Sequence, residues 1–187
     1  MRIAFILYDG MTALDFVGAY DPISRMKTLN LLPELELDVC SLSETVTDST
    51  GLVLKAGKVA PSLAGYDMIV VAGGPGSRKM MVDEVFLDWV RSAAPCRYKA
   101  AACTGSLILG AAGFLEGHTA GTRRDAQDLL KQYCSVADDR VVVSDGVITS
   151  RGCATSLDLG VYLCEMLVGS KARALICEKM DYQPTGG

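Results

Sequence analysis

Two of the seven cysteines in this 187-residue chain, Cys103 and Cys153, stand between small residues on both sides. Only Cys103, in AACTGSLILGAAGFL, follows a strand-like run and leads straight into an apolar helix-like one. A nucleophile on a sharp strand-to-helix turn needs small neighbours, because the backbone there is crowded. Ala101 and Gly105 occupy those flanking positions. The start of the following helix would direct free N–H groups and partial positive charge at the sulfur, lowering the thiol pKa. The N–H of Thr104 would be one donor to developing negative charge, and an N–H from the turn at Gly73 and Gly74 the second. Free cysteine is also among the most buried residue types. The residues alone therefore leave Cys103 open between a nucleophile and a small core filler.

Asp15 is the second candidate. It lies in TALDFVG beside Leu14, Phe16 and Val17, where a carboxyl is desolvated and titrates high. It could exchange protons with a sulfur adduct; the other reading is a carboxylate stabilising a helix N-terminus. Asp9 and Asp21 read as turn and helix-surface residues. The loop GGPGSRK looks like a phosphate cradle, but its spacing fits no Walker loop, and Lys79 stands where a dinucleotide fingerprint needs its third glycine. His118, the only histidine, falls in a helix-to-strand connection and reads as exposed and without a task. Cys40, Cys134, Cys164 and Cys177 sit in periodic apolar stretches as core or half-buried residues. Cys96 reads as a loop thiol, and Cys153, opening a helix in SRGCATS, as the one competitor for reactivity.

The elements that would position these residues follow from apolar patterning. Strands are predicted at 2–8, 35–42, 51–55, 67–72, 98–102, 119–122, 140–144 and 147–150. Helices are predicted at 12–29 (with Thr12 as N-cap), 83–94, after the elbow at 103–105, and at 124–134, 156–168 and 171–180, before a Pro/Gly tail. Apolar strands alternating with helices imply a parallel sheet covered on both faces. Its functional site would lie beyond the carboxyl ends of the strands, where loops 9–15, 73–78 and 103–105 converge.

The totals agree with one domain over residues 1–187: half the residues are apolar, about a fifth are charged, and the net charge is −4. No basic, aromatic-interleaved patch points to nucleic acid; Arg123 and Arg124 are the densest basic spot. In MRIAFILYDG the apolar run stops at Asp9, which reads as a core strand rather than a signal peptide, and no run approaches the roughly 18 apolar residues of a membrane span. An odd cysteine count without C-x-x-C or nearby histidine indicates neither a metal site nor a disulfide framework. The expectation is a cytoplasmic protein with no metal, no cofactor and no nucleic-acid or membrane partner.

Four stretches, FILYDGMTALDFVGAYDP, DMIVVAGGPG, ACTGSLILGAAGFLEG and TSRGCATSLDLG, together make the chain resemble the ThiJ/PfpI superfamily along essentially its whole length. The resemblance implies an α/β, flavodoxin-like three-layer sandwich of the glutamine-amidotransferase type. Its central sheet is mostly parallel and carries a strand-to-helix nucleophile elbow. Within the superfamily the chain is most similar to the isonitrile hydratase branch. The branch patterns L-D-x-x-G, S-S-G-L-V-L, V-C-T-G-S-L-x-L-G-A-A-G-L-L and G-I-D stand here as LDFVG, DSTGLVL, AACTGSLILGAAGFL and SLD.

That likeness implies Cys103 as nucleophile, Asp15 as acid, a small electrophilic substrate and a homodimer. Most deglycase- and protease-like relatives carry Glu at the acid position. The chain also departs from the branch. Ala120, Gly121, Thr122 and Arg123 stand in place of A-T-T-H, Ala19 replaces a proline and Arg151 replaces a glycine. Arg123 in place of histidine disfavours a Cys–His–acid amidase and makes Thr122, Arg123 and Arg151 candidates for supporting the site. The implied reaction is hydration of an isonitrile to an N-substituted formamide through a Cys103 thioimidate, with Asp15 as general acid and base. The alternatives are a glyoxalase- or deglycase-like enzyme acting on 2-oxoaldehydes, and a cysteine-based redox or stress sensor without turnover. A transcriptional regulator is disfavoured, because no DNA-binding unit is expected beside the α/β unit.

Overall fold

The computed structural model describes residues 1–184; the last three residues of the Pro/Gly tail lie outside the described residues. The chain opens with β1 (Arg2–Ile6), α1 (Ala13–Thr28) and β2 (Glu36–Ser41), then a small hairpin of β3 (Thr45–Thr47) and β4 (Val53–Lys55) and an edge strand β5 (Lys58–Val59). The middle comprises β6 (Met68–Val71), α2 (Ser77–Met80), α3 (Glu84–Arg91), β7 (Tyr98–Ala102) and α4 (Gly105–Ala111). After these come β8 (Thr119–Ala120), α5 (Gln127–Leu130), β9 (Ser135–Val136), β10 (Val141–Ser144), β11 (Val147–Ser150), α6 (Ser156–Val168) and α7 (Ser170–Met180).

Seven strands form one sheet in the order β10-β11-β7-β6-β1-β2-β5. Every neighbouring pair is parallel except β10 with β11. The central strands are apolar runs without alternation, and β6 is buried at all four positions, as strands covered on both faces must be. The step from β1 to β2 runs one way along the sheet, and the step from β6 to β7 the other. Right-handed crossovers therefore place α1 on one face and α2 to α4 on the opposite one. α6 and α7 pack with α1 on the first face. The fold is the expected flavodoxin-like three-layer sandwich, and the reversal of direction between β1 and β6 marks where its loops open a crevice. Among the described residues, no helix is long and apolar enough to cross a membrane.

Most predicted elements appear with their ends trimmed by a residue or two. The helix expected at 124–134 does not: a 3-10 turn (Arg124–Ala126) and the four-residue α5 replace it. The chain has to turn back there so that β9 can pair with β8, while Tyr133 fills the space left by the bare Gly110. The strand expected at 119–122 appears as the two-residue β8, whereas β3, β5 and β9, two or three residues long, are too short for apolar periodicity to reveal.

One helix contact matters for the site. α1 and α6 approach closely because each contributes a glycine. A Cβ on Gly18 would lie 2.0 Å from Ser156 Oγ, and one on Gly160 would lie 2.9 Å from Ala19 O. Ser156 Oγ stands 3.0 Å from Leu14 O and 2.7 Å from Cys153 O, so a single hydroxyl proton serves two carbonyls. The start of α6 is thereby tied to the start of α1, and Cys153 to the neighbourhood of Asp15. Gly160→Ala forces backbone apart and is expected to cost about 1–3 kcal/mol, measured by urea denaturation. An unchanged midpoint would show that the close crossing is not needed for stability.

Candidate active site

The site is stitched from three loops at the carboxyl ends of β1, β6 and β7. Thr12 N–H donates to Gly73 O at 2.8 Å, and Gly76 N–H to Gly10 O at 2.8 Å. The glycines of GGPG serve this close packing. A Cβ on Gly73 would sit 2.7 Å from both Ala102 O and Thr104 N, and 2.8 Å from Asp15 Oδ2. Gly74 has φ +125° and faces Thr12 N in the same way. On the elbow itself, a Cβ on Gly105 would lie 2.4 Å from Val71 O, which is why the residue after Thr104 has no side chain.

Cys103 adopts φ +53°, a conformation costing a non-glycine residue on the order of 1–3 kcal/mol. The surroundings hold it there. Its N–H donates to Ser150 O at 2.9 Å, and its carbonyl accepts from Ser106 Oγ at 3.0 Å and Thr122 Oγ1 at 3.1 Å. Thr122 thus supports the elbow from beneath, fully buried. Thr104 Oγ1 both donates to Gly74 O (3.0 Å) and accepts from Gly74 N–H (2.9 Å). Gly74 therefore cannot supply the main-chain donor expected of it, because its N–H is already taken. The N–H groups that face the reactive atoms are those of Thr104, toward the Cys103 sulfur, and Gly73, toward the Asp15 carboxylate.

Asp15 is fully buried. A carboxylate oxygen of Asp15, Cys103 Sγ and Cys153 Sγ all lie within 4.8 Å of one another. Neither Asp15 oxygen has a hydrogen-bond partner among the described residues: the two thiols and the Gly73 N–H face it without reaching bonding geometry. Burial raises its pKa from 3.8 to about 6, against the partial stabilisation that these groups and the Arg123 charge provide. The Cys103 thiol is pushed well above its usual range by burial, then by the neighbouring Asp15 and Cys153. This corrects the expectation of a lowered thiol pKa: α4 has only seven residues, and desolvation outweighs the Thr104 N–H at its start. Tyr8 stands under the site, its hydroxyl donating to Ala72 O at 2.8 Å.

Cys103, Cys153, Thr104, Arg78 and Arg123 line a small cavity of about 40 Å³. Arg123 also pairs with Asp125 at 2.9 Å. Arg151 does not reach the cavity lining. Its guanidinium donates to Asp138 O at 3.0 Å and lies 3.5 Å from Asp138 Oδ2, drawn to a surface carboxylate. His118 is not idle as expected: its Nδ1 lies 3.0 Å from Ser144 O, tying the β8 edge to β10. Cys96 is in a loop but buried, its thiol donating to Leu63 O at 3.3 Å. Sequence reasoning treated Cys153 as a rival to Cys103, whereas the fold makes it a neighbour. Arg78, in the loop dismissed as a phosphate cradle, was not foreseen at all.

A sequence profile described as the DJ-1/PfpI family matches residues 1–166. The chain belongs to the DJ-1/PfpI family. As a member of it, the chain is 36% identical over 187 residues to an isonitrile hydratase from Pseudomonas putida, covering 98% of this chain and 79% of that one. It is 29% identical over 191 residues to the protein DJ-1alpha of Drosophila melanogaster, covering 96% and 84% of the two chains. The crystal structure of a ThiJ/PfpI family protein from Pseudomonas syringae superposes with a TM-score of 0.88 at 26% identity, covering 99% of this chain and 76% of that one.

The raised Asp15 pKa has a consequence for stability in this DJ-1/PfpI chain. An acid that binds its proton more tightly when folded adds stability as pH falls from about 6 toward 3.8, and the gain is lost above about 6. The full span corresponds to at most about 3 kcal/mol. Asp15→Asn is expected to remove this dependence. Between pH 4 and pH 7.5, wild type should lose up to that much stability relative to the variant in urea denaturation. Parallel pH profiles for the two proteins would refute the assignment.

Proposed function

We propose that the chain hydrates an organic isonitrile, R–N≡C, to the N-substituted formamide, with Cys103 as nucleophile and Asp15 as proton carrier. The observation that carries this reading is the unpartnered, fully buried Asp15 carboxylate beside the sulfur of a cysteine on a positive-φ elbow. The likeness to an isonitrile hydratase over nearly the whole chain supports it. His118, held by Ser144, takes no part.

Near neutral pH an acid with a pKa of about 6 stands mostly as carboxylate, and Cys103 as thiol. As the sulfur attacks the terminal isonitrile carbon, the thiol proton passes to Asp15 and on to that same carbon. The product is the thioimidate Cys103–S–CH=N–R, with Asp15 again a carboxylate. Asp15 then takes a proton from an incoming water while the water oxygen adds to the carbon, and the proton moves to nitrogen. Collapse of the tetrahedral adduct breaks the C–S bond. The hydroxyl proton returns to the departing sulfur by way of Asp15, and R–NH–CHO leaves.

The Thr104 N–H steadies negative charge on sulfur as it forms and as it departs. The cavity of about 40 Å³ suits a linear two-atom head and a water rather than a whole substrate. The R group extends outward past Arg78 and Arg123.

Formamide release from cyclohexyl isonitrile, followed by NMR, tests the reading. Turnover is expected in wild type, none in Cys103→Ala, and about 10²–10⁴-fold less in Asp15→Asn. Because the carboxylate is the working form, kcat/KM should fall as pH drops below about 6, and Asp15→Asn should lose that limb. Turnover of methylglyoxal but not isonitrile would replace this reading with the 2-oxoaldehyde one. Selective peroxide oxidation of Cys103 with no turnover of either would favour a sensor.

A further inference from the structure

Asp15, Cys103 and Cys153 come from three distant parts of the chain, so no sequence spacing announces them as a group. The fold brings one donor atom from each within 4.8 Å of the other two. Both Asp15 oxygens are buried without a hydrogen-bond partner among the described residues, and one of them is a member of this cluster. A buried carboxylate left in that state is unfavourable. Two facing thiols are weak donors for it, but together with it they make a ligand set.

We propose that Asp15, Cys103 and Cys153 hold a soft, four-coordinate divalent cation such as Zn²⁺, with the fourth position open to the adjoining cavity. Two thiolates and one carboxylate select a thiophilic d¹⁰ ion over a hard one such as Mg²⁺ or Ca²⁺. Bonds of about 2.3 Å to sulfur and about 2.0–2.2 Å to oxygen place tetrahedral donor atoms roughly 3.5–3.8 Å apart. The donors lie at most 4.8 Å apart, so closing onto an ion requires at most about 1 Å. A change of side-chain rotamer at Cys153, on the irregular stretch between β11 and α6 that Ser156 anchors, would supply it.

Binding of M²⁺ displaces one proton from each thiol, leaving two M–S bonds, one M–O bond and a net charge of −1. The guanidinium of Arg123, at the cavity wall, faces that residual charge. The cavity of about 40 Å³ has room for a water as fourth ligand. An ion here occupies the Cys103 sulfur and the Asp15 carboxylate, so the ion-bound chain is closed to any electrophile, while the binding itself does not depend on which electrophile the free chain attacks.

The test uses the full chain, reduced with a phosphine and freed of metal, and titrated with Zn²⁺ against a chromophoric chelator. One ion per chain is expected, and X-ray absorption should show two sulfurs at about 2.3 Å with oxygens at about 2.0 Å. Losing a direct ligand should cost at least the roughly tenfold that losing an outer partner costs, in Cys153→Ser and separately in Asp15→Asn. Cys134 and Cys177 are the other half-buried thiols, and a Cys134→Ser/Cys177→Ser double variant should bind as wild type does. Affinity retained in Cys153→Ser, fewer than two sulfurs on the ion, or no stoichiometric binding overturns the proposal. The sulfur count on wild type stands whether or not any variant folds.

Discussion

Everything at the functional end of this fold depends on how closely three backbone segments approach beyond β1, β6 and β7. They meet at distances that no Cβ tolerates. Gly73 stands where a side chain would strike Ala102 O, Thr104 N and Asp15 Oδ2, and Gly105 stands where it would strike Val71 O. Because those positions are bare, Thr12 can donate to Gly73 O and Gly76 to Gly10 O. The loop carrying Asp15 is thereby clamped against the turn carrying Cys103. The phosphate-like look of GGPGSRK comes from the same chemistry of small residues, directed here at neighbouring backbone.

The clamp has an electrostatic result. It removes Asp15 from water and sets it beside two sulfurs, so any negative charge in the cluster is shared among groups that repel one another as anions. The carboxyl rises to about 6 and the Cys103 thiol rises further, so near neutral pH the proton of the pair sits on sulfur and the carboxyl is mostly charged. The same desolvation that weakens folding above pH 6 leaves a carboxyl that changes charge near neutral pH, the property the proposed reaction would use. Strain follows the same pattern. The left-handed Cys103 is held by Ser150, Ser106 and Thr122, three partners that do no chemistry on a substrate themselves.

Much of the architecture was legible in the linear sequence. The runs RIAFI, MIVV and YKAAA appear as β1, β6 and β7, because a strand covered on both faces needs apolar side chains along its buried length, with Arg2 and Lys99 confined to the half-buried starts. The helix expected at 124–134 was not correctly legible, since apolar spacing there is also satisfied by a turn that folds Tyr133 over Gly110. Cys103 and Asp15 stood out by their neighbours. The pairing of Arg151 with Asp138, the tether at His118 and the occupied N–H of Gly74 did not. Each is a choice among partners that sequence separation hides.

The sequence by itself determined the order of the principal strands and helices, the glycine-lined elbow and the small set of candidate reactive residues there, because periodicity and side-chain size are local properties. Tertiary structure alone decided that Cys153 is a neighbour of Cys103, that Arg78 and Arg123 share the cavity wall while Arg151 does not, and that the thiol pKa rises. The crossing of α1 and α6 at Gly18 and Gly160 brings Cys153 in, and desolvation sets the charge states. Both depend on which distant segments come within a few ångströms, and no local pattern along the chain encodes that.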